Sequence, residues 1–157
     1  MMKLLSQRDK QWANVKIGRS NLTVGNYGCV ITDLSMLSDW YSRYRGSGEF
    51  KTPETLARKL EFTHNGLLYW GSIEKVLGFK FDWRSYIYDE KRISDALGGK
   101  NTSCLIRIYG GAKTHWLIGI KKAGNYYWVA DPFPLPSGQR KFINKNIITG
   151  SATFKIK

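Results

Sequence analysis

Two apolar runs joined by a short polar turn constrain this chain more than any other feature. Thr114-His115-Trp116-Leu117-Ile118-Gly119-Ile120 and Tyr126-Tyr127-Trp128-Val129-Ala130-Asp131-Pro132 are rich in β-branched and aromatic residues. Between them, Lys121-Lys122-Ala123-Gly124-Asn125 carries the chemistry of a tight turn, so the segment reads as a β-hairpin. Loop length then sets the register. If Lys121 pairs with Asn125 around a three-residue loop, His115 lies directly opposite Asp131, and a four-residue loop moves this by only one position. Directly opposed side chains have Cβ atoms roughly 4.5 to 5.5 Å apart, which suits an imidazole N–H donating to a carboxylate.

A second constraint lies upstream. In Tyr27-Gly28-Cys29-Val30-Ile31-Thr32-Asp33-Leu34-Ser35-Met36, a thiol stands where a turn opens into a helix. Val30, Leu34, Leu37, Tyr41 and Tyr44 recur at the three- and four-residue spacing that gives a helix one buried stripe. Cys29 falls in the first turn, where free backbone N–H groups and the helix dipole favour a thiolate and pull the thiol pKa down. Gly28 allows a turn of positive φ and a close approach to the sulfur. The second cysteine, Cys104, sits in the alternating run Ser103-Cys104-Leu105-Ile106-Arg107-Ile108 and reads as buried and inert, with no spacing that suggests a disulfide or a metal site.

A nucleophilic thiol needs a base, a group that orients the base, and a donor for the developing oxyanion. The chain has two histidines. His115 is set in the hairpin, whereas His64, in Phe62-Thr63-His64-Asn65-Gly66, reads as an exposed loop residue and the rival base. Gln7 and Gln11, in Gln7-Arg8-Asp9-Lys10-Gln11-Trp12-Ala13-Asn14, are both candidates for an amide donor.

Taken together, Gln7-Arg8-Asp9-x-x-Trp12-Ala13-Asn14, then Thr23-x-Gly25-x-Tyr27-Gly28-Cys29-x-x-Thr32-x-Leu34-x-Met36, then His115-Trp116 and Asp131-Pro132, resemble the papain-like cysteine peptidases. More narrowly, they are similar to the branch related to the bacteriocin-leader (double-glycine) peptidase domains of ABC exporters. The resemblance implies a papain-like α+β fold, with Cys29 as nucleophile, His115 as general base and then acid, Asp131 as the orienting acid and Gln7 as the oxyanion donor. It covers nearly the whole chain, but no family residue is matched between Glu49 and Asn101.

The coarse organisation is helices first and sheet later, within one domain spanning residues 1–157. Thr52-Pro53-Glu54 reads as the start of a helix running to about Phe62. Further helices are expected from Tyr69 to Leu77 and from Asp89 to Leu97, each ended by glycine. Strands follow at Cys104–Tyr109, Trp116–Ile120, Tyr126–Ala130, Lys141–Ile143 and Ala152–Ile156. No run is long and apolar enough for a membrane span, and Met1-Met2-Lys3-Leu4-Leu5 is too short for a signal peptide. The expected setting is therefore the cytoplasm, a phage particle or release by lysis, unless the sequence is a mature fragment.

The formal charge of +13, from 25 basic and 12 acidic residues, suits contact with an anionic polymer, whether nucleic acid or cell-wall polymer. Charge specifies a setting and no reaction. The leading expectation is a cysteine peptidase or amidase acting through a thioester on peptides, including peptidoglycan-like ones, without a cofactor. The alternatives are an acyltransferase using the same residues and an inactive papain-like basic binding protein.

Overall fold

The computed structural model describes residues 2–110 and 113–157. Its elements are α1 (Val24–Tyr27), α2 (Cys29–Arg45), α3 (Pro53–Lys59), α4 (Ile73–Val76), β1 (Phe79–Ser85), α5 (Glu90–Gly98), β2 (Thr102–Gly110), β3 (Lys113–Ala123), β4 (Tyr126–Asp131), β5 (Gln139–Asn144) and β6 (Ile148–Ile156). This is an α+β, papain-like arrangement, with N-terminal helices packed against an antiparallel sheet of order β1-β6-β2-β3-β4-β5.

Local chemistry accounts for the helix ends. Gly46 stops α2 in the left-handed region at φ 61°, its N–H donating to Tyr41 O. At α3, Thr52 Oγ1 accepts from Thr55 N–H at 3.1 Å and Pro53 opens the helix. That helix ends at Lys59 and does not reach Phe62, because Phe62 bridges to Leu68 and Tyr69 N–H donates to Glu61 O. The helix expected from Tyr69 to Leu77 divides into a 3₁₀ turn, Trp70–Ser72, and α4. Asp89 caps α5 by accepting from Arg92 N–H.

The sheet buries both faces. Leu105, Trp116, Ile118, Ala130, Ala152 and Phe154 pack with Leu34, Leu37 and Tyr41 of α2, while Ile106, Leu117, Val129 and Tyr127 pack with Ile93 and Ala96 of α5. Of the expected α2 stripe, Tyr44 is exposed. Strand β1 was not foreseen. It is an edge strand whose register shifts between Phe81 and Trp83, so that Phe81 and Arg84 stand on one face.

The hairpin has the expected strands and a different register. Ala123 pairs with Tyr126 and Lys121 with Trp128; after a shift at Ile120, Gly119 pairs with Val129 and Ile118 with Ala130. The turn is the two-residue Gly124-Asn125, with Gly124 at φ 63°. Extending the Ile118–Ala130 register puts His115 opposite Phe133, so Asp131 is its diagonal neighbour and does not lie directly opposite. The shorter loop and the bulge together cause the difference.

Gly28 also differs from expectation: its φ is −93°, so no positive φ is required. Glycine is needed for packing, since a Cβ would lie 2.4 Å from Val24 O and 2.7 Å from Val24 Cγ1. Gly28→Ala should therefore cost about 1–3 kcal/mol by forcing α1 and the start of α2 apart. A denaturant midpoint equal to wild type would contradict this.

Candidate active site

Cys29 is the first residue of α2, part-exposed and free. Its sulfur lies against Trp116 of β3 and takes a hydrogen bond from the Trp116 N–H, so β3 brings the residue after His115 to the thiol. Burial pushes the Cys29 thiol up to about 12; Asp33 adds to the rise, and the N–H groups of Trp116, Val30 and Cys29 itself work against it. The helix start alone would have lowered the value, and desolvation reverses that expectation. The resting thiol is neutral.

His115 Nε2 and Asp131 Oδ1 are 2.7 Å apart, with Asp131 buried. The diagonal position is within reach because the imidazole is long enough to span it, and His115 also meets the Phe133 ring edge-on at 6.2 Å. With Nε2 engaged, Nδ1 is the nitrogen left for proton exchange. Asp131 is held by two further donors. Lys141 Nζ donates to Oδ2 at 2.8 Å and Phe133 N–H to Oδ1 at 2.9 Å. Burial opposes the Asp131 charge, but His115, Lys141 and the Phe133 N–H outweigh it and hold the carboxyl at about 2.

Gln7 is buried, and Gln11 is not. Gln7 N–H donates to Pro132 O at 2.7 Å, and Nε2 donates to Gly25 O at 3.1 Å, which leaves the second amide hydrogen unused. Gln11 instead folds back on Asp9. The two glutamines are thus separated by burial and by the docking of Leu5–Gln7 on Pro132–Phe133. His64 is exposed in the loop before Leu67, away from these groups. Cys104 is fully buried in the core on the α5 side, where burial pushes its thiol up to about 12.

Asp33 was not singled out in the sequence. It lies one helical turn after Cys29, fully buried, and neither carboxylate oxygen has a hydrogen-bond partner. Burial and the nearby Asp131 charge push its carboxyl well above the ordinary range, which favours the protonated form. The signal was available: an acid at i+4 from Cys29 must face the same way as the thiol.

A separate cavity of about 430 Å³ opens between the C-terminal half of α2 and the sheet, lined by Leu37, Trp40, Ile118 and Trp128 among others, and none of Gln7, Cys29, His115 and Asp131 lines it. Among the described residues, no cluster of His, Cys, Asp and Glu is arranged to hold a metal ion, and no helix is long and apolar enough to cross a membrane.

Two pH predictions follow from the two acids. Asp131 has a folded pKa below its unfolded value, so its contribution is present above about pH 4 and is lost as pH falls toward about 2. Wild type should lose up to about 2 kcal/mol more than Asp131→Asn across that interval in acid denaturation. Asp33 has the opposite sign: folding takes up a proton, so stability declines as pH rises above about 4. Between about pH 5 and 8, Asp33→Asn should show a flatter stability curve than wild type; parallel curves would mean that Asp33 is ionised in the fold.

No family model matches the sequence, and no curated protein matches it. Among solved structures, the chain is similar to the peptidase domain of Streptococcus ComA, a bi-functional ABC transporter involved in a quorum sensing pathway. The TM-score is 0.63 and the identity 16%, with all of both chains covered. Over its whole length, this chain has the fold of that papain-like peptidase domain.

Proposed function

We propose that the protein is a cysteine peptidase that hydrolyses peptide bonds through a thioester. One observation carries the reading: Asp131 fixes His115 at 2.7 Å on the strand whose next residue, Trp116, meets the Cys29 sulfur. The reading takes His115 as the base, Asp131 as its orienting acid and Cys29 as the attacking thiol.

In this reading the Cys29 proton passes to His115 Nδ1 as Sγ attacks the carbonyl carbon of the substrate. The imidazolium is stabilised by Asp131, whose charge is secured by Lys141 and the Phe133 N–H. A neutral resting thiol keeps the ion pair for the moment when substrate arrives. The oxyanion takes hydrogen bonds from the free amide hydrogen of Gln7 and from the Cys29 N–H. His115 then returns the proton to the leaving amine as the C–N bond breaks. Water, deprotonated by the same imidazole, adds to the thioester and releases the acid and the thiol. The basic surface favours substrates carried on anionic material, bacterial wall peptides among them.

The test is digestion of peptide mixtures and peptidoglycan fragments, with products read by mass spectrometry. Cys29→Ala and His115→Ala should each abolish cleavage while leaving the thermal midpoint near wild type. Gln7→Ala should lower kcat about 10²- to 10³-fold, and Asp131→Asn should lower it through loss of imidazole orientation. Cleavage that survives His115→Ala but not His64→Ala would overturn the assignment. Absence of any cleaved bond in wild type, beside salt-sensitive binding to nucleic acid, would favour a binding protein.

A further inference from the structure

Past Trp116, the α2-covered face of the sheet carries two arginines. Arg107 follows Leu105 at period two on β2 and stands directly opposite Trp116; Arg84 stands opposite Ala152, itself opposite Leu105. Leu105, Trp116 and Ala152 belong to the α2-side core, and directly opposed residues share a face. Both guanidiniums therefore rise from the face on which Cys29 lies, beside the residue whose N–H meets its sulfur.

Aromatic rings brace them. Arg84 lies 5.0 Å from the Trp70 ring centroid and 5.3 Å from that of Tyr86, while Arg107 lies 4.4 Å from the same Tyr86 ring. Trp70 in turn packs on Trp116 at 5.5 Å. Arg107 is fixed further by Thr149, donating from Nε to Oγ1 at 3.0 Å and from Nη2 to the carbonyl at 3.2 Å. Among the described residues neither arginine has a carboxylate partner, and Asp82, near Arg84 in sequence, is paired with Lys155. Two like charges on one ring repel, and an anion between them would turn that repulsion into attraction.

We infer that Arg84 and Arg107, braced by Tyr86, bind a carboxylate of the peptide whose scissile bond lies at Cys29. This deepens the peptidase reading and rests on it. A guanidinium fork matches a carboxylate in geometry as well as charge. Arg107 is one strand from Trp116, and an extended peptide rises about 3.3–3.6 Å per residue, so the carboxylate belongs within a few residues of the bond. It comes from an acidic side chain or from a chain terminus. A peptide suits the pair better than a polyphosphate backbone, because the flanking Ser85, Ile108 and Thr149 are uncharged and extend no basic track.

The experiment measures alkylation of Cys29 by three chloroacetyl tripeptides, followed by intact mass and peptide mapping. They are Gly-Gly-Glu amide, Gly-Gly-Gln amide, and Gly-Gly-Gln with a free carboxylate; in each, Sγ displaces chloride from the chloroacetyl carbon. At least one acidic probe should react about tenfold faster than the neutral amide, the gain one charge-assisted pair supplies. The faster acidic probe identifies the carboxylate source. The preference should vanish in Arg84→Gln and Arg107→Gln, return in part in Arg84→Lys and Arg107→Lys, and fade with salt. Equal rates for all three probes with Cys29 still labelled before Cys104 would overturn the carboxylate receptor and leave the nucleophile standing. If Cys29 shows no advantage over Cys104, the peptidase reading fails, and the receptor is decided by NMR of the arginine Nε signals in Cys29→Ala. Shifts of Arg84 and Arg107 with Gly-Gly-Glu amide but not Gly-Gly-Gln amide would sustain it; unmoved signals, or larger shifts with a DNA duplex at lower concentration, would overturn it.

Discussion

Burial of α2 against the sheet is the constraint on which the other features depend. Leu34, Leu37 and Tyr41 are almost fully removed from water, and each large apolar side chain so buried contributes about 1.5–3 kcal/mol. Tyr41 adds direction to this burial. Its ring stacks on Phe79 at 4.5 Å, and its hydroxyl shares a 2.9 Å hydrogen bond with Ser103. With the helix axis held in this way, its first residue has one place to go, beside Trp116. The N-terminal segment then closes the arrangement: Trp12 Nε1 donates to Ser6 O, Ser6 Oγ donates to Phe133 O, and Gly138 packs against Leu5 O.

Much of this was legible because hydrophobic period reports burial directly. The α2 stripe and four of the five expected strands lie close to their expected bounds, and β6 begins earlier, at Ile148. Register was less legible, since it depends on loop length and on a bulge that leaves no mark in composition: Ile120 is one more apolar residue in an apolar run. Strand β1 had a period-two signal in Phe79, Phe81 and Trp83, but the charged residues between them and the glycine before them read equally well as a loop. At the site, residue types and order indicated Cys29, His115, Asp131 and Gln7. The state of the thiol was not indicated, because desolvation is a property of the assembled core. The position of Asp33, four residues after Cys29, was legible, whereas its lack of any hydrogen-bond partner was not.

The two buried acids show how environment divides identical chemistry. Asp131 is ringed by donors that favour its charge; Asp33, a short distance away, has none, and its environment favours the protonated form. Their mutual repulsion widens the gap, since the charge on one raises the cost of charging the other. Within a chain of formal charge +13, these two carboxyl groups lie buried a short distance apart. The thiol and imidazole sit at the boundary between these two environments.

The strand order carries a consequence for synthesis on the ribosome. Strand β1 emerges before β2, yet among the described residues its sole sheet neighbour is β6, which follows β5 in the chain. Until β6 is made, β1 has no ladder to join, and Arg84 has no fixed relation to Arg107. Gln7 likewise waits for Pro132, on which its backbone docks. A nascent chain can therefore form the Cys29 helix early and still lack the docked Gln7, His115 and the completed sheet edge. The order of strands delays the meeting of Cys29, Gln7, His115 and Asp131 until nearly all of the chain has left the exit tunnel.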